Sequence, residues 1–476
     1  MIRHYFYAFL SGALCLFAFA PFNFFPALCL SYALLFLCLI KYAQTPKNAL
    51  ILGHGFGFGY FLSGLYWVGN ALLVDIEQFY MFVPFAYLGL PFALGLFYAL
   101  PAYIAYKCTA YKGKTPYFLA LAVLLSIFDI LRGFIFTGFP WNLPVYATAF
   151  SNEMMQLSYY LGAYGYNIVI VFLALSFGLY FINLKQKKYL IISHILILAL
   201  TFGLGHNRIS SADLEPNHDM IFRIIQPNID QHYKWSGNQL ENNFKTLLDL
   251  SSENLEKDKK YVFIWPETAM PFHPEHNPDI MDMIVPLLEG GHKIITGKMR
   301  FAPRYDRHGY YYYNSVFVIN DDRSVQSFYD KIHLVPFGEY LPLRPLLSFF
   351  GLGQINHFQS GFSEGEGYTP YILSEGLKIG AQICYEIIFP EGSEAVKKAG
   401  ANILINVTND AWFGKSSGPY QHLVQTRFRA IENNIMIIRS ANTGISSAID
   451  PLGRVVSSIP LSMKGYSDNI TVRLKE

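Results

Sequence analysis

Charge is segregated along this chain, and the segregation limits what it can fold into. Its 476 residues carry 36 Lys and Arg against 34 Asp and Glu. Only ten of the basic and four of the acidic residues fall in positions 1–205, leaving 56 for the last 271 positions. Soluble domains carry about 25% charged residues, so the first stretch cannot present an ordinary solvated surface. Two domains are expected, 1–205 and 220–476, joined by a polar linker at 206–219 that holds Pro216. A net charge of +2 gives no electrostatic case for nucleic acid. A hydrophobic content of 52% excludes disorder as the main state.

Seven segments of the first domain approach the roughly 20 apolar residues that a helix needs to cross hydrocarbon. They are 5–20, 25–40, 48–70, 80–106, 116–133, 157–183 and 189–205. Helices are expected, because backbone inside lipid must satisfy its own hydrogen bonds. Ala18-Phe19-Ala20 looks like a signal cleavage site, but Pro21 and six further segments follow, so the first span is expected to be uncleaved. Arg3, Lys41, Lys47, Lys107, Lys112, Lys114, Lys185, Lys187 and Lys188 fall in alternate loops. The other loops hold Asp75, Glu77, Asp129 and Glu153, with Arg132 their one basic residue. The bias of Lys and Arg toward cytoplasmic loops orients the N-terminus inward and the second domain to the opposite face. Asp129 and Arg132 lie just before Thr137-Gly-Phe-Pro-Trp-Asn142, and read either as a headgroup contact or as a structural ion pair beside an aromatic anchor.

In the second domain the pattern turns to short apolar runs split by turn residues. Strands are expected at Ile221–Ile225, Tyr261–Trp265, Lys293–Thr296, Ser315–Ile319, Leu377–Ile383, Ile403–Val407 and Met436–Ser440. Helical periodicity separates several of them, at 237–257, 278–289, 391–399 and 418–433. The order is α/β, with strands apolar enough to be buried on both faces. Of five cysteines only Cys384 lies here, so this domain holds no internal disulfide, and the chain has no CxxC pair.

Two of these runs end at reactive groups, and a third reactive stretch lies between them. Tyr261–Trp265 leads into Pro266-Glu267, Leu377–Ile383 into Cys384-Tyr385-Glu386, and Tyr329-Asp330-Lys331 precedes His333-Leu-Val-Pro-Phe-Gly-Glu339. Sites in α/β sheets gather outside the carboxyl ends of strands. A carboxylate to take a thiol proton, a thiolate to attack a carbonyl and a lysine to hold the oxyanion suffice for acyl transfer. On residue type alone, a lone cysteine after an apolar strand is more often inert core, and single Glu and Lys residues are more often solvated.

The motifs taken together weigh the other way. Ile264-Trp-Pro-Glu267, Tyr329-Asp-Lys331-Ile-His-Leu-Val-Pro-Phe-Gly-Glu339 and Ile383-Cys384-Tyr-Glu386 resemble the nitrilase, or carbon–nitrogen hydrolase, superfamily. Asn409-Asp-Ala-Trp-Phe-Gly414, Gly418-Pro-Tyr-Gln-His422, Arg427–Glu432 and the Gly-Phe-Pro-Trp element are similar to the apolipoprotein N-acyltransferase family within it. The resemblance implies a membrane domain of about seven helices plus a periplasmic α-β-β-α sandwich, in a bacterial inner membrane. It implies transfer of an acyl chain from a phospholipid to the N-terminal amine of a diacylglyceryl-cysteine apolipoprotein, the last step of lipoprotein maturation, through a cysteine thioester. Cys384 would be nucleophile, Glu267 general base and acid, and Lys331 the oxyanion's cation, helped by the Tyr385 N–H. Glu339 would orient Lys331, Tyr385 and Glu386 would support the nucleophile, and Trp235 would stand at the substrate entrance. Neither metal nor cofactor is implied, and a monomer is expected. The alternative is a membrane-anchored carbon–nitrogen hydrolase using the same three residues.

Two further expectations concern the ends of this domain. The loop between Glu339 and Gly361, with Leu343, Leu346, Leu347, Phe349, Phe350 and Leu352, reads as a lid dipping into the membrane interface. The family usually ends in an eighth span, whereas Ser467–Glu476 has no apolar run and reads as a final strand on the periplasmic side.

Overall fold

The computed structural model describes residues 1–109, 113–182, 187–234, 236–304, 309–342 and 361–475. The chain forms two compact units, and the split is not a simple cut. One unit is Met1–Ala212 together with Trp412–Glu432, and the other is Asp213–Ala411 together with Asn433–Glu476.

The first unit is helical. Its longer elements are α1 (Ile2–Ala13), α2 (Phe25–Tyr42), α3 (Pro46–Gly64), α4 (Leu96–Thr109), α5 (Lys114–Arg132), α6 (Leu157–Ser176) and α7 (Lys187–Ser210). All seven apolar segments are thus largely helical, with short turns between Tyr66 and Leu94 where Pro84, Pro91 and Gly95 interrupt the run. Five described helices are long and apolar enough to cross a membrane: Phe25–Tyr42, Phe85–Thr109, Lys114–Arg132, Leu157–Phe181 and Lys187–Ser210. α3 is not among them, because Lys47, Asn48, His54 and five glycines dilute its apolar content. Those glycines serve packing. A Cβ on Gly12 of α1 would overlap the Phe56 carbonyl, and one on Gly59 the Phe9 carbonyl, so the two backbones touch directly.

Asp129 and Arg132 prove to be a buried structural pair rather than a headgroup contact. Asp129 Oδ1 meets Arg132 at 3.2 Å and its Oδ2 accepts from Asn167 at 3.0 Å. Arg132 also donates to the Phe139 and Trp141 carbonyls, fixing the Gly-Phe-Pro-Trp turn. The Trp141 and Trp67 indoles donate to Gln421 Oε1 at 2.8 and 3.3 Å, and Phe413 packs on both rings. These last contacts hold the returning segment Trp412–Glu432 within the helical unit.

The second unit is a sandwich of two six-stranded sheets. The first has the order β12 (Gly465–Leu474), β1 (Leu214–Gln226), β2 (Tyr261–Ile264), β3 (Lys293–Pro303), β4 (Tyr310–Ile319), β5 (Val325–Asp330). The second runs β11 (Val455–Ile459), β10 (Ser446–Ile449), β9 (Met436–Ala441), β8 (Ile403–Thr408), β7 (Leu377–Ile383), β6 (Tyr371–Ser374). β1–β3 are mutually parallel, as are β7–β9. Strand periodicity assigns the cores. Val262 and Ile264 of β2 join Ile379, Ile383, Ile405 and Val407 between the sheets, while Phe263 and Trp265 face Phe244, Leu247, Ile284 and Leu287 on the outside. That outer layer is α8 (Gly237–Ser252) and α9 (Pro278–Leu288). On the other sheet Val396 of α10 (Pro390–Lys398) packs on Gly380 of β7. The architecture is the expected α-β-β-α sandwich beside a helical domain.

The units part between Ala212 and Asp213, inside the expected 206–219 interval, but most of that interval is helix or strand rather than linker. α7 continues to Ser210 with Arg208 buried, and β1 begins at Leu214 with Pro216 paired to Val472 of β12. Polarity there reflects a helix end and an edge-facing strand start, so the interval between elements is Ser211–Asp213. The boundary also recurs at Trp412 and Glu432, since the periodic 418–433 stretch, now α11 (Gly418–Asn433), groups almost entirely with the helical unit. The C-terminal segment is a strand, as expected.

Candidate active site

β7 is fully buried over Ile379–Ile383 and ends at Cys384, whose φ of +53° is a left-handed conformation. A non-glycine residue there marks a sharp elbow that lifts one side chain off the sheet end, and such strain concentrates at functional sites. The elbow is secured from within. Glu386 Oε2 accepts from the Ile383 N–H at 2.7 Å, and its Oε1 accepts from Tyr329 Oη at 2.7 Å and from the Ile332 and His333 N–H groups at 2.8 and 2.9 Å. One buried carboxylate thereby ties the Cys384 elbow to the segment that carries Lys331. Burial pushes its pKa up, and Lys331 and the N–H donors oppose that.

Lys331 follows β5 and is 1% exposed. Its ammonium contacts Glu339 at 2.9 Å and Glu267 Oε1 at 3.9 Å. Burial alone would lower the Lys331 pKa, but Glu339, Glu267, Cys384 and Glu386 together raise it above its usual value, so the ammonium stays charged. Glu339 is filled on its other side by the Val335 N–H at 2.8 Å.

Glu267 emerges two residues beyond Trp265 on a turn with Thr268 at φ +46°. Its Oε1 accepts from Asn314 Nδ2 at 2.8 Å, and its Oε2 is buried with no hydrogen-bond partner among the described residues. The Cys384 thiol is pushed up to about 12 by burial first and by Glu267 second, with Lys331 pulling the other way. The resting sulfur is therefore held as a thiol that feels the Glu267 charge.

The fold thus brings Glu267, Lys331, Glu339, Cys384, Tyr385 and Glu386 into one sheet-end cluster. Trp235 and the loop residues Leu343, Leu346, Leu347, Phe349, Phe350 and Leu352 lie outside the described residues. No group of His, Cys, Asp and Glu able to hold a metal occurs among the described residues.

Asn314, Lys234 and a Thr408-Asp410-Arg439 chain escaped sequence reasoning. Asn314 of β4 gives one amide to both carboxylates, Glu267 at 2.8 Å and Glu339 at 2.9 Å. Lys234 sends a buried ammonium to the Glu267 carbonyl. Behind the nucleophile, Thr408 hydrogen-bonds Cys384 and donates to Asp410 at 2.9 Å, and Arg439 of β9 pairs Asp410 at 2.6 Å. The Asn409-Asp410 dipeptide was a usable signal for the last of these; single Asn and Lys letters carry none.

With the geometry established, similarity to known proteins is informative. Residues 223–468 match the carbon–nitrogen hydrolase family, and residues 11–176 match the apolipoprotein N-acyltransferase N-terminal domain. The chain is 39% identical to the apolipoprotein N-acyltransferase of Allorhizobium ampelinum, covering 98% of this chain and 89% of that protein. It is 37% identical to the enzymes of the same name from Agrobacterium fabrum (96% and 88% covered) and Brucella melitensis (97% and 88%). Among solved structures, a carbon–nitrogen hydrolase from Helicobacter pylori aligns with 53% of this chain and 88% of its own, at 15% identity and a TM-score of 0.38.

Proposed function

Because this chain belongs to the apolipoprotein N-acyltransferase family, we propose that it moves an acyl chain from a membrane phospholipid to the N-terminal amine of a diacylglyceryl-cysteine apolipoprotein by way of a Cys384 thioester. It is an acyltransferase with apolar membrane helices and a nitrilase-like domain. The observation that carries the mechanism is the open, buried Oε2 of Glu267, whose charge the Cys384 thiol feels.

In this reading Glu267 takes the Cys384 proton as sulfur attacks the phospholipid ester carbonyl. The tetrahedral oxyanion leans on the Lys331 ammonium and the Tyr385 N–H. Glu267 returns the proton to the departing lysophospholipid oxygen, leaving a thioester. The acceptor amine then attacks, Glu267 receives its proton, and sulfur leaves as thiolate to be reprotonated. Glu339 and Asn314 hold Lys331 and Glu267 in register, and Glu386 holds the elbow. Trp235 is assigned to substrate binding by its resemblance to the family motif alone. Each methylene drawn from lipid into water costs about 0.8 kcal/mol, which favours a site at the membrane surface. The distribution of Lys and Arg supports an inner-membrane protein with its sandwich in the periplasm, working as a monomer.

The test uses purified protein in vesicles whose phospholipid is labelled in one acyl chain. Label should load onto wild type but not Cys384→Ala, be released by neutral hydroxylamine, and pass to the amine of an added diacylglyceryl-cysteine peptide. Release of loaded label only as free fatty acid would replace the transferase reading with the hydrolase one. Failure of wild type to load would remove phospholipid as donor.

A further inference from the structure

Lys234 lies in the turn after β1, only 6% exposed, where an ammonium is expensive to bury. Its Nζ donates to the main-chain carbonyl of Glu267 at 2.9 Å and to Thr268 Oγ1 at 2.7 Å. The turn it grips is the strained one, since Thr268 is a β-branched residue at φ +46°. The same turn is braced by Gly297 of β3, whose N–H donates to the Pro266 carbonyl at 3.2 Å and whose carbonyl accepts from the Met270 N–H at 3.2 Å. A Cβ at Gly297 would collide with Glu267 Cα and Thr268 N. Strained turns persist when their surroundings over-determine them, and here one brace is a charged side chain.

We propose that Lys234 is a positioning residue for the Glu267 carboxylate and that its charge acts as a second cation for the negative charge that passes between Glu267 and Cys384. This rests on the reading of Glu267 as base and Cys384 as nucleophile. The charged and titratable groups facing Lys234 are Glu267, on the turn after β2, and Cys384, at the end of β7. From α8 the neutral Asn243 side chain approaches its carbonyl. The two roles separate with pH. Burial pulls the Lys234 pKa down to about 8, with Glu267 and Cys384 opposing that fall. Below pH 8 the cation is present; above it the amine is neutral. A neutral amine keeps two N–H donors, so the grip survives while the charge is lost.

The test reads Cys384 itself and needs no lipid. The full chain in detergent micelles is alkylated with iodoacetamide from pH 6.5 to 10, and Cys384 is followed by peptide mass spectrometry, apart from Cys15, Cys29, Cys38 and Cys108. In wild type the rate should climb about tenfold per pH unit below 8 and distinctly less steeply just above, as the thiolate loses its cation. Lys234→Gln should be about tenfold slower at pH 7, climb evenly through pH 8, and converge with wild type above pH 9. Lys234→Met should in addition slow thioester loading at every pH, with KM for the phospholipid unchanged. A wild-type profile that is straight through pH 8, or a Lys234→Gln profile that overlays wild type, overturns the proposal. The wild-type profile stands even if a variant fails to fold. Absence of loading from phospholipid with the bent profile intact would sink the acyl-donor reading and leave the role of Lys234 standing.

Discussion

Two buried charge clusters, one in each unit, use similar side chains and end differently. In the helical unit Asp129 engages Arg132 with one oxygen and Asn167 with the other, and one terminal nitrogen of Arg132 donates to two carbonyls. In the sandwich unit Glu339 is equally well filled, by Lys331, Asn314 and the Val335 N–H. Glu267, a few ångströms from the same lysine, keeps one buried oxygen open. A carboxylate with both oxygens engaged is held rigid. A buried carboxylate with an open oxygen retains the capacity to accept a proton, at some expense in stability. What separates scaffold from chemistry is one vacant lone pair rather than burial or charge.

Substitutions should break the two clusters in opposite ways. The largest effect is expected from Glu267→Gln, which should lower thioester loading about 10³-fold while leaving the thermal midpoint unchanged or higher. A fall in midpoint would mean that Glu267 is as structural as Asp129. Next is Asp129→Ala, which strands a buried guanidinium and should destabilise the protein by about 3–5 kcal/mol. The protein that still folds should load acyl chain at a near wild-type rate, and a selective loss of loading would blur the contrast. Asn314→Ala removes one amide from two carboxylates and should slow loading about 10–100-fold, with little change in urea midpoint. The smallest effect concerns the resting thiol. Because burial holds Cys384 at about 12, its alkylation should still be rising at pH 10, where a free cysteine peptide, with a pKa of about 8.5, has levelled off. A plateau near pH 8.5 would mean that the sulfur is far more solvated than its surroundings indicate.

Legibility in the sequence follows the physics of each element. The runs Tyr261–Trp265, Leu377–Ile383 and Ile403–Val407 announce themselves because strands covered on both faces must be apolar throughout, and their ends point to Glu267 and Cys384. Edge strands give no such signal. β11 exposes Val455 and Val456, and its neighbour β10 buries Ser446 through hydrogen bonds to Gln226 that only the folded chain supplies. Lys234 and Asn314 are silent for a related reason. Each is a single polar letter whose meaning arises when β1, β2 and β4 are gathered into one sheet. The departure at Trp412–Glu432 is hidden by periodicity itself, since an amphipathic helix looks alike whichever unit receives its apolar face.

That departure has a consequence for how the polypeptide is made. Residues 1–212 leave the ribosome long before residue 412, so Trp67 and Trp141 wait through 354 and 280 codons for Gln421 to receive their indole hydrogens. The helical unit cannot reach its final packing until the sandwich has been largely synthesised. A gene cut at the junction near Asp213 would leave the first fragment without Trp412–Glu432, and the second with the whole sandwich unit plus that stretch severed from its helical partners. Co-expressed fragments should associate through the Trp412–Glu432 stretch, making this a chain whose halves are interlocked by synthesis order as well as by the peptide bond.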